Sequence, residues 1–398
     1  MTVQFSARTH WDLQTTKYAA ALQAMRAGNA AFFDLTASNP TTCGFDYDRA
    51  AILDALSRPE CLAYGPDPRG LLLAREAVAQ YYAEAAAAQV PSDRIFLTTS
   101  TSEAYSYLFR LHCDPGAEVL IAQPSYPLFE FLADLDDVRL VSYPLFYDHG
   151  WHLDGSALTA RITPRTRAVI VVHPNNPTGH FTSAQEREAL EAICQQHGLA
   201  LIVDEVFLDY ALDLDGADRS APRSFAAGEH PALKYVLSGL SKVAGLPQMK
   251  AAWIASFGPK ALLEEAKGRL EVIADTFLSM NAPVQHALPY LLANRQGVQQ
   301  QILSRVRENL AALDRRLLDA PVLSRLEVQG GWYAVVRVPA LRSGEALAIR
   351  LMEEQQLVVH PGYFYGFDGE GWLVLSLLTA AEEFAEGIAR LARFFREG

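Results

Sequence analysis

The sequence predicts an α/β protein with a mostly parallel central sheet, flanking helices and a second, smaller α+β domain. Over roughly 200 residues in the middle of the chain, short apolar runs that end in turn residues alternate with amphipathic stretches, which is typical of strand–helix repeats. The C-terminal third mixes strands and helices in a different order. The length of 398 residues also fits one large domain plus a smaller one.

Several short runs in the centre of the chain are predicted to be strands. They are rich in β-branched residues and apolar almost throughout, as expected of strands that are buried on both faces of a parallel sheet. In chain order they are Arg94–Thr98, Glu118–Ala122, Val138–Tyr143, Ala168–His173, Leu199–Val203, Tyr235–Ser238 and Ala252–Phe257.

The stretches between these runs have helical spacing, most clearly at Ser183–His197. Ser183 is the predicted N-cap because Glu186 follows three residues later, which is the spacing of a capping box. Gly198 is predicted to end this helix.

The C-terminal third predicts a separate α+β domain. Its predicted elements are a helix within Val298–Leu318, a strand within Leu326–Val338, a helix at Ser343–Gln355, strands at Leu357–His360 and Trp372–Leu377, and a helix from Ala381. We therefore assign residues 46–295 to the large domain. Residues 1–45 and 296–398 form the small domain, since the N-terminal segment is expected to pack onto the C-terminal part.

The charge balance argues against nucleic-acid and membrane partners. The chain has 34 Lys and Arg against 46 Asp and Glu, a formal net charge of −12, so it lacks the basic surface that binds phosphate backbones or anionic lipid. No apolar run approaches the roughly 18 residues of a membrane-spanning helix. The opening residues have no apolar signal-peptide core, so we expect a cytoplasmic protein.

The cysteine and histidine patterns predict neither a metal site nor a disulfide framework. The four cysteines are far apart, with no CxxC pair, and the ten histidines include no HExxH motif.

Polar side chains cluster where the predicted strands end, which is where open parallel sheets bind their ligands. After the successive runs come Thr99–Ser102, Pro124–Tyr126, Pro174–Gly179, Asp204–Glu205 and Ser241–Lys242, with Lys250 eight residues after Lys242.

Together these groups predict a site for pyridoxal 5′-phosphate. Hydroxyls at a helix start suit a phosphate, and a tyrosine can stack on a ring. An asparagine can bind the phenolic oxygen, an aspartate can keep the ring nitrogen protonated, and a lysine can form a Schiff base. Taken singly, each residue has an ordinary alternative as a cap, turn or surface residue. The prediction depends on the combination at successive strand ends.

Further motifs carry a resemblance to a known family over nearly the whole chain. They are Asp34–Pro40, Tyr64 with Gly70 and Arg75–Ala77, Ser100–Ala104, Pro124–Tyr126, Asn176–Gly179, Asp204–Glu205, Ser241–Lys242, Gly330–Gly331 and His360–Gly362. On these motifs the chain resembles the class I/II aminotransferases, which are pyridoxal-phosphate enzymes of fold type I in the aspartate-aminotransferase-like superfamily. The resemblance implies that fold, the cofactor and a homodimer with shared active sites.

The resemblance also implies roles for individual residues. Lys242 corresponds to the Schiff-base lysine and general base, Asp204 to the partner of the ring nitrogen, and Tyr126 to the stacking aromatic ring, and these three are the catalytic candidates. Asn176 corresponds to the partner of the ring oxygen. The remaining cofactor positions are Ser100, Thr101, Ser102, Phe207, Ser241, Lys250 and Tyr64, the last reaching the phosphate across the dimer interface. The substrate positions are Asn39, Asn176 and Val374.

Four positions depart from the family pattern, namely Lys250, Phe207, Gly239 and Val374. Lys250 and Phe207 stand where arginine and tyrosine are usual, and Gly239 replaces a frequent hydroxyl residue, for which Ser238 and Ser241 are possible compensation. A weaker phosphate site and one missing hydrogen bond on the ring oxygen are expected.

The largest departure is Val374, which replaces the arginine that grips the substrate carboxylate. Arg69 is a candidate substitute, and an ordinary solvated loop arginine is the alternative. The aromatic residues Trp332, Tyr333, Tyr363, Phe364 and Tyr365 either line a pocket for an apolar group or only pack the small domain.

The sequence therefore predicts an aminotransferase that acts on an amino donor and a 2-oxo acid or other carbonyl acceptor. A lyase, decarboxylase or oxidase on the same scaffold is the alternative, which the loss of arginine at Val374 makes more credible. A non-catalytic effector-binding module is a third hypothesis.

Overall fold

The computed structural model describes residues 3–28, 31–212 and 223–397. The helices are α1 (Lys17–Ala27), α2 (Arg49–Leu56), α3 (Leu72–Ala85), α4 (Thr101–His112), α5 (Leu128–Leu135), α6 (Gly155–Thr159), α7 (Ala184–His197), α8 (Leu240–Val243), α9 (Lys260–Phe277), α10 (Ala282–Ala293), α11 (Gln296–Leu317), α12 (Gly344–Gln355) and α13 (Ala381–Glu397).

The strands fall into three sheets. They are β1 (Phe33–Asp34), β2 (Ile95–Thr98), β3 (Glu118–Gln123), β4 (Arg139–Tyr147), β5 (Trp151–Leu153), β6 (Thr166–Val172), β7 (Ala200–Asp204), β8 (Lys234–Gly239), β9 (Ala252–Phe257), β10 (Ser324–Arg325), β11 (Tyr333–Arg337), β12 (Leu357–Val358), β13 (His360–Pro361) and β14 (Trp372–Ser376).

The largest sheet has eight strands in the order β2-β9-β8-β7-β6-β3-β4-β5. The strands β8, β7, β6, β3 and β4 are parallel neighbours, whereas β9 is antiparallel to both β8 and β2. The predicted mostly parallel sheet is therefore confirmed. The strand pattern did not reveal β5, whose three residues pair with the end of a longer β4.

Alternate residues of the central strands point to opposite faces of this sheet, and both faces are covered. Val169 and Leu201 pack on one side with residues of α3, α7 and α10. Ile170 and Ile202 pack on the other with residues of α4, α5 and α9. Burial on both faces explains why these strands read as continuous apolar runs.

The predicted caps of α7 are present. The Ser183 hydroxyl accepts a hydrogen bond from the Glu186 amide, while the Glu186 carboxylate accepts one from the Ser183 amide at 2.7 Å. Gly198 ends the helix in the left-handed conformation, with φ of 64°.

A four-stranded antiparallel sheet, β10-β11-β14-β13, forms the centre of the C-terminal part, with a two-stranded pair, β1-β12, beside it. The predicted strand Leu357–His360 is divided, because its first residues pair with β1 and its last with β14. The predicted strand Leu326–Val338 is interrupted at Gly330 and Gly331, and only Tyr333–Arg337 forms β11.

The N-terminal segment packs onto this C-terminal part. Besides the pairing of β1 with β12, the Tyr18 hydroxyl donates to the Val359 carbonyl at 3.0 Å. Tyr18, Leu35 and Cys43 share one core cluster with β11, β14, α12 and α13. These contacts support the domain division, whose boundaries at 45/46 and 295/296 stay predictions. Among the described residues, no helix combines the length and apolarity needed to cross a bilayer.

Candidate active site

The parallel strands bring the predicted site residues to one edge of the large sheet. Asp204 is the last residue of β7, and Lys242 lies on α8, directly after β8. Asn176 follows β6 and Tyr126 follows β3. Since β8, β7, β6 and β3 are adjacent and parallel, their carboxyl ends lie side by side.

The Lys242 amine lies in an aromatic environment. Its Nζ atom is 5.2 Å from the centre of the Trp332 ring and 5.7 Å from that of Phe207. Burial lowers the pKa of Lys242, and the Asp204 carboxylate opposes this shift. A lowered pKa leaves more of the amine neutral, the form that attacks a carbonyl or accepts a proton.

The Asp204 carboxylate is buried and is held by two hydrogen bonds. Its Oδ2 accepts from the Tyr105 hydroxyl and its Oδ1 from the Val206 amide, both at 3.1 Å. Burial raises the pKa of Asp204 to about 6, although these bonds and the Lys242 charge act in the opposite direction. A cationic ring nitrogen beside this carboxylate would stabilise its ionised form.

Tyr126 lies in the loop between β3 and α5, which contacts the C-terminal part. Its ring packs edge-to-face on Phe129, with ring centres 6.3 Å apart. Burial raises the pKa of Tyr126, and the charge of Asp204 adds to this shift. The neighbouring Ser125 amide donates to the Tyr365 carbonyl at 2.9 Å, which fixes the loop against the segment after β13.

The predicted phosphate-binding residues form the start of α4. Ser100 is the N-cap, and its hydroxyl accepts a hydrogen bond from the Glu103 amide at 3.2 Å. Thr101 and Ser102 are the first two residues of the helix and are half-buried. The first amides of an α-helix have no intrahelical partner and, with the helix dipole, favour an anion.

Unpaired buried polar atoms beside this edge, among them those of Asn176 and Ser238, indicate a ligand. Asn176 Oδ1 and Ser238 Oγ have no hydrogen-bond partner within the described ranges. Leaving buried polar atoms unpaired costs free energy, so a bound group that pairs with them is expected to stabilise the site. With the amine of Lys242 and the carboxylate of Asp204, these atoms fit the polar groups of pyridoxal phosphate. The described residues include no group of three or more side chains placed to hold a metal ion.

Steric crowding explains why position 239 is a glycine. A Cβ atom there would come within 2.9 Å of the Ala251 carbonyl oxygen and of Ala252 Cβ, because β8 and β9 pair tightly at this point. A hydroxyl residue therefore does not fit. Ser241 is half-buried on α8, and Lys250 is exposed at the turn before β9, in the left-handed conformation with φ of 50°.

The substrate candidates Val374 and Asn39 lie in different surroundings, one in the core and the other on the surface. Val374 is completely buried in β14, opposite Val335 and His360. Asn39 is exposed and uses its Oδ1 to cap a short turn, accepting from the Thr41 amide at 3.1 Å.

Arg69, the candidate substitute for the missing arginine, has other partners in this structure. Its guanidinium forms an ion pair with Glu271 at 3.1 Å and donates to the Asp93 carbonyl at 3.3 Å. These contacts disfavour Arg69 as the carboxylate-binding residue, and its role stays a hypothesis.

The aromatic residues of the C-terminal part divide into two groups. Trp332 contacts Lys242, and the buried Tyr333 is close enough to Tyr126 for the two hydroxyls to influence each other. Burial raises the pKa of Tyr333 to about 12, and a hydrogen bond with Ser38 opposes this shift. Tyr363 is instead 45 % exposed.

Tyr64 projects from the surface, 85 % exposed. Large apolar side chains nearby in sequence or lining the same pocket are also exposed, namely Leu62, Leu72, Leu73 and Leu278.

Two residues at the site were not predicted. Tyr105, which donates to Asp204, comes four residues after Thr101, so its helical spacing could have placed it behind the start of α4. Tyr210, which donates to the Lys242 main-chain carbonyl at 2.6 Å, carries no sequence signal that distinguishes it from an ordinary core tyrosine.

Comparison with known proteins agrees with this geometry. Two curated relatives are a glutamate-pyruvate aminotransferase, AlaA, of Haemophilus influenzae and an alanine aminotransferase of Mycobacterium tuberculosis. The first is 25 % identical over 397 residues, 97 % of this chain and 96 % of that protein. The second is 27 % identical over 368 residues, 90 % of this chain and 84 % of that protein.

Solved structures share the fold over almost the whole chain. An alanine aminotransferase from Pyrococcus furiosus superposes with a TM-score of 0.88 at 21 % identity, covering 99 % of this chain and 100 % of that one. The aspartate aminotransferase of Thermus thermophilus with maleate gives 0.83 at 22 % identity, covering 98 % and 100 %.

Fold and site together define an enzyme of the pyridoxal-phosphate fold type I class. Residues 32–391 match the model of the family described as aminotransferase class I and II, and the chain belongs to this family. The predicted aminotransferase function and its cofactor are thereby confirmed. The lyase, decarboxylase or oxidase alternative is not favoured.

A second buried carboxyl group, Glu205, follows Asp204. It accepts hydrogen bonds from the Ser224 hydroxyl at 2.7 Å and the Phe225 amide at 2.6 Å. Burial raises the pKa of Glu205 to about 7, although these bonds and the charges of Arg187 and Lys234 act in the opposite direction.

We expect Glu205→Gln to change how the stability of cofactor-free protein depends on pH. Because the folded-state pKa of Glu205 is raised, its contribution to stability is complete below about pH 4.5 and is lost as the pH rises through about 7. The free energy of unfolding of the wild type, relative to the variant, should fall by roughly 1.4 kcal/mol per pH unit within this window.

Urea denaturation at a series of pH values measures this difference. Glu229→Gln, at an exposed glutamate, is the control and should run parallel to the wild type. A Glu205→Gln curve that is also parallel to the wild type would contradict the raised pKa.

Proposed function

We propose that this aminotransferase moves an amino group from an amino acid to a 2-oxo acid or other carbonyl acceptor, with Lys242 as the group that bonds the cofactor and carries the proton. The observation that carries this proposal is the placement of the Lys242 amine. It lies beside the Trp332 and Phe207 rings, near enough to Asp204 for the carboxylate to influence its pKa. The names of the two curated relatives, which concern glutamate, pyruvate and alanine, support an amino acid donor.

The residues that would hold the cofactor surround this amine. When bound, pyridoxal phosphate supplies an aldehyde that accepts the amino group and a ring that takes up an electron pair. Asp204 would pair with the ring nitrogen, Tyr126 would stack on the ring, and Asn176 would bind the ring oxygen. The phosphate would lie at the start of α4, with Ser100, Thr101, Ser102, Ser241 and Lys250 around it.

Lys242 and Asp204 would have complementary tasks. Burial lowers the pKa of Lys242, so the neutral amine is more accessible than in an exposed lysine and can accept a proton from the substrate carbon and return it elsewhere. Asp204 gives up its own proton less easily than an exposed aspartate, so it becomes a full anion most readily when a cation lies beside it. The Tyr105 hydrogen bond fixes the direction of that carboxylate.

The substrate side of the pocket would recognise its ligand mainly with neutral groups. Val374 is an apolar core residue, and Arg69 is paired elsewhere. One polar group on this side is the buried Tyr333 hydroxyl, which lies near Tyr126. Aromatic rings and neutral hydroxyls suit a donor with an apolar or aromatic group, and they bind a carboxylate less tightly than an arginine fork does.

Exposure of Tyr64 supports a homodimer in which this residue completes the partner's phosphate site. An 85 % exposed tyrosine amid exposed leucines is expensive in water and is typical of an interface. We also propose a cytoplasmic location, in keeping with four cysteines that all stay free in the structure.

Lys242→Ala should abolish amino transfer while the exposed-surface control Lys260→Ala should not. The test is transfer of ¹⁵N from a labelled amino acid to a 2-oxo acid, followed by mass spectrometry over a panel of donors. We expect a loss of at least about 10⁴-fold for Lys242→Ala, because no other group can take both of its tasks. Release of labelled ammonia without an aminated acceptor would contradict the proposal.

The same panel tests the neutral substrate pocket. It should include L-alanine and L-alaninamide, as well as L-phenylalanine and L-phenylalaninamide, since each pair differs only in the carboxylate. We expect kcat/KM to differ by less than about tenfold within a pair, because no guanidinium group binds the carboxylate with two hydrogen bonds. A preference of more than a thousandfold for the carboxylates would show that a cation binds them after all.

Mixed dimers test the shared site. Lys242→Ala and Tyr64→Ala subunits are each expected to be impaired alone. Reassembled together, they form hybrids in which one site keeps both Lys242 and Tyr64, so activity should return to about a quarter of the wild-type level for random pairing. Mixtures that stay as impaired as the separate variants would contradict a Tyr64 contribution across the interface.

A further inference from the structure

The lysine turn α8 is held by three side chains from other parts of the chain. It is only four residues long, Leu240–Val243, so its carbonyl groups need partners outside the helix. The Lys242 carbonyl accepts from the Tyr210 hydroxyl at 2.6 Å, and the Val243 carbonyl accepts from Gln299 Nε2 at 2.7 Å. Shortly after the turn, the Gly245 carbonyl accepts from the Tyr47 hydroxyl at 2.8 Å.

These three donors, which we call the carbonyl clamp, come from distant segments. Tyr210 lies after β7, Gln299 lies on α11 and Tyr47 lies just before α2. Tyr210 and Gln299 are buried, and Tyr47 is half-buried. Convergence of three separate segments on one turn leaves its main chain little freedom to shift.

Tyr210 also contacts the residue that lies beside the Lys242 amine. Its ring packs edge-to-face on Trp332 with ring centres 5.0 Å apart, and the same Trp332 ring lies 5.2 Å from Lys242 Nζ. The Tyr210 carbonyl accepts from the Gly331 amide at 2.9 Å, which fixes the segment that carries Trp332. One residue therefore orients both the main chain of Lys242 and an aromatic wall of its amine.

The approach of Tyr47 is close enough to require glycine. Gly245 has φ of 62°, and a Cβ atom there would come within 2.9 Å of the Tyr47 hydroxyl oxygen. The turn after Lys242 is thus shaped to receive this hydroxyl.

We infer that the carbonyl clamp, and Tyr210 above all, positions Lys242 for its chemistry by fixing the main chain from which its amine extends. This inference depends on the proposed role of Lys242. The alternative is a purely structural role, in which the three donors only pair with buried carbonyl groups and contribute to stability.

A matched control exists for separating these two roles. The buried Tyr143 hydroxyl donates to the Ile170 carbonyl at 3.1 Å, inside the large sheet. Tyr143→Phe and Tyr210→Phe therefore delete the same kind of hydrogen bond, and only Tyr210 bonds to Lys242.

The test compares the two variants in three measurements. These are the midpoint of thermal unfolding, kcat and KM for amino transfer, and competitive acetylation of Lys242 across a pH series in cofactor-free protein. Both variants should lose some stability. Tyr210→Phe should lower kcat by about tenfold or more with little change in KM, since small displacements of a reacting group are costly.

The acetylation measurement reports on the amine itself. In Tyr210→Phe the pH of half-maximal labelling should move upward, toward the value of an ordinary lysine, because a loosened amine reaches water. Burial is the largest influence on the Lys242 pKa, so its relief should outweigh the loss of the Asp204 carboxylate, which acts in the opposite direction. Tyr143→Phe should match the wild type in both kcat and labelling.

A Tyr210→Phe variant with the kcat and labelling of Tyr143→Phe would overturn the inference. A fall in kcat without any change in labelling would also overturn it, since the effect would then not pass through Lys242. If Tyr210→Phe does not fold, Tyr47→Phe replaces it in the test. We expect the same changes in kcat and in the pH of half-maximal labelling, but smaller ones. Labelling is measured in cofactor-free protein, so it tests the positioning of Lys242 even if the proposed amino transfer is not observed.

Discussion

The partial burial of the Lys242 amine near the buried Asp204 carboxylate is the constraint on which the rest of this structure depends. Burial lowers the pKa of Lys242 and raises that of Asp204, because it costs the charged form of each group part of its hydration. Each group therefore holds its charge less readily than it would in water. That arrangement is costly for folding, and it is useful only where a ligand brings a carbonyl for the amine and a cation for the acid.

The architecture provides this burial without distorting the sheet. Parallel neighbours β7 and β8 bring the two groups to the same edge, and their strands are covered on both faces. The C-terminal part then closes the site from above, because Trp332 reaches Lys242 and the Tyr126 loop is fixed to Tyr365. Residues of both parts of the chain therefore surround the candidate site.

The sequence predicts the large sheet and the cofactor edge well, because both depend on local signals. A strand buried on both faces is continuously apolar, and the residue that follows it is delivered to the ligand edge, as for Asp204. Tyr105 and Tyr210 were missed because their importance arises from contacts across 99 and 32 residues of chain. Helical spacing could have placed Tyr105 behind the start of α4, but it does not reveal the hydrogen bond to Asp204. Gly239 was read as a missing hydroxyl, whereas the close pairing of β8 with β9 explains it. Arg69 was weighed as a carboxylate ligand because a sequence shows its charge and not its ion pair with Glu271.

The central claim is that the Lys242 amine is the group that bonds the cofactor. The most direct measurement is borohydride reduction of the protein saturated with pyridoxal phosphate, followed by peptide mapping with mass spectrometry. The account predicts one reduced pyridoxyl-phosphate adduct per chain, located on Lys242, with loss of the yellow colour. A modification spread over surface lysines, or a protein that stays colourless and unmodified when pyridoxal phosphate is added, would contradict it.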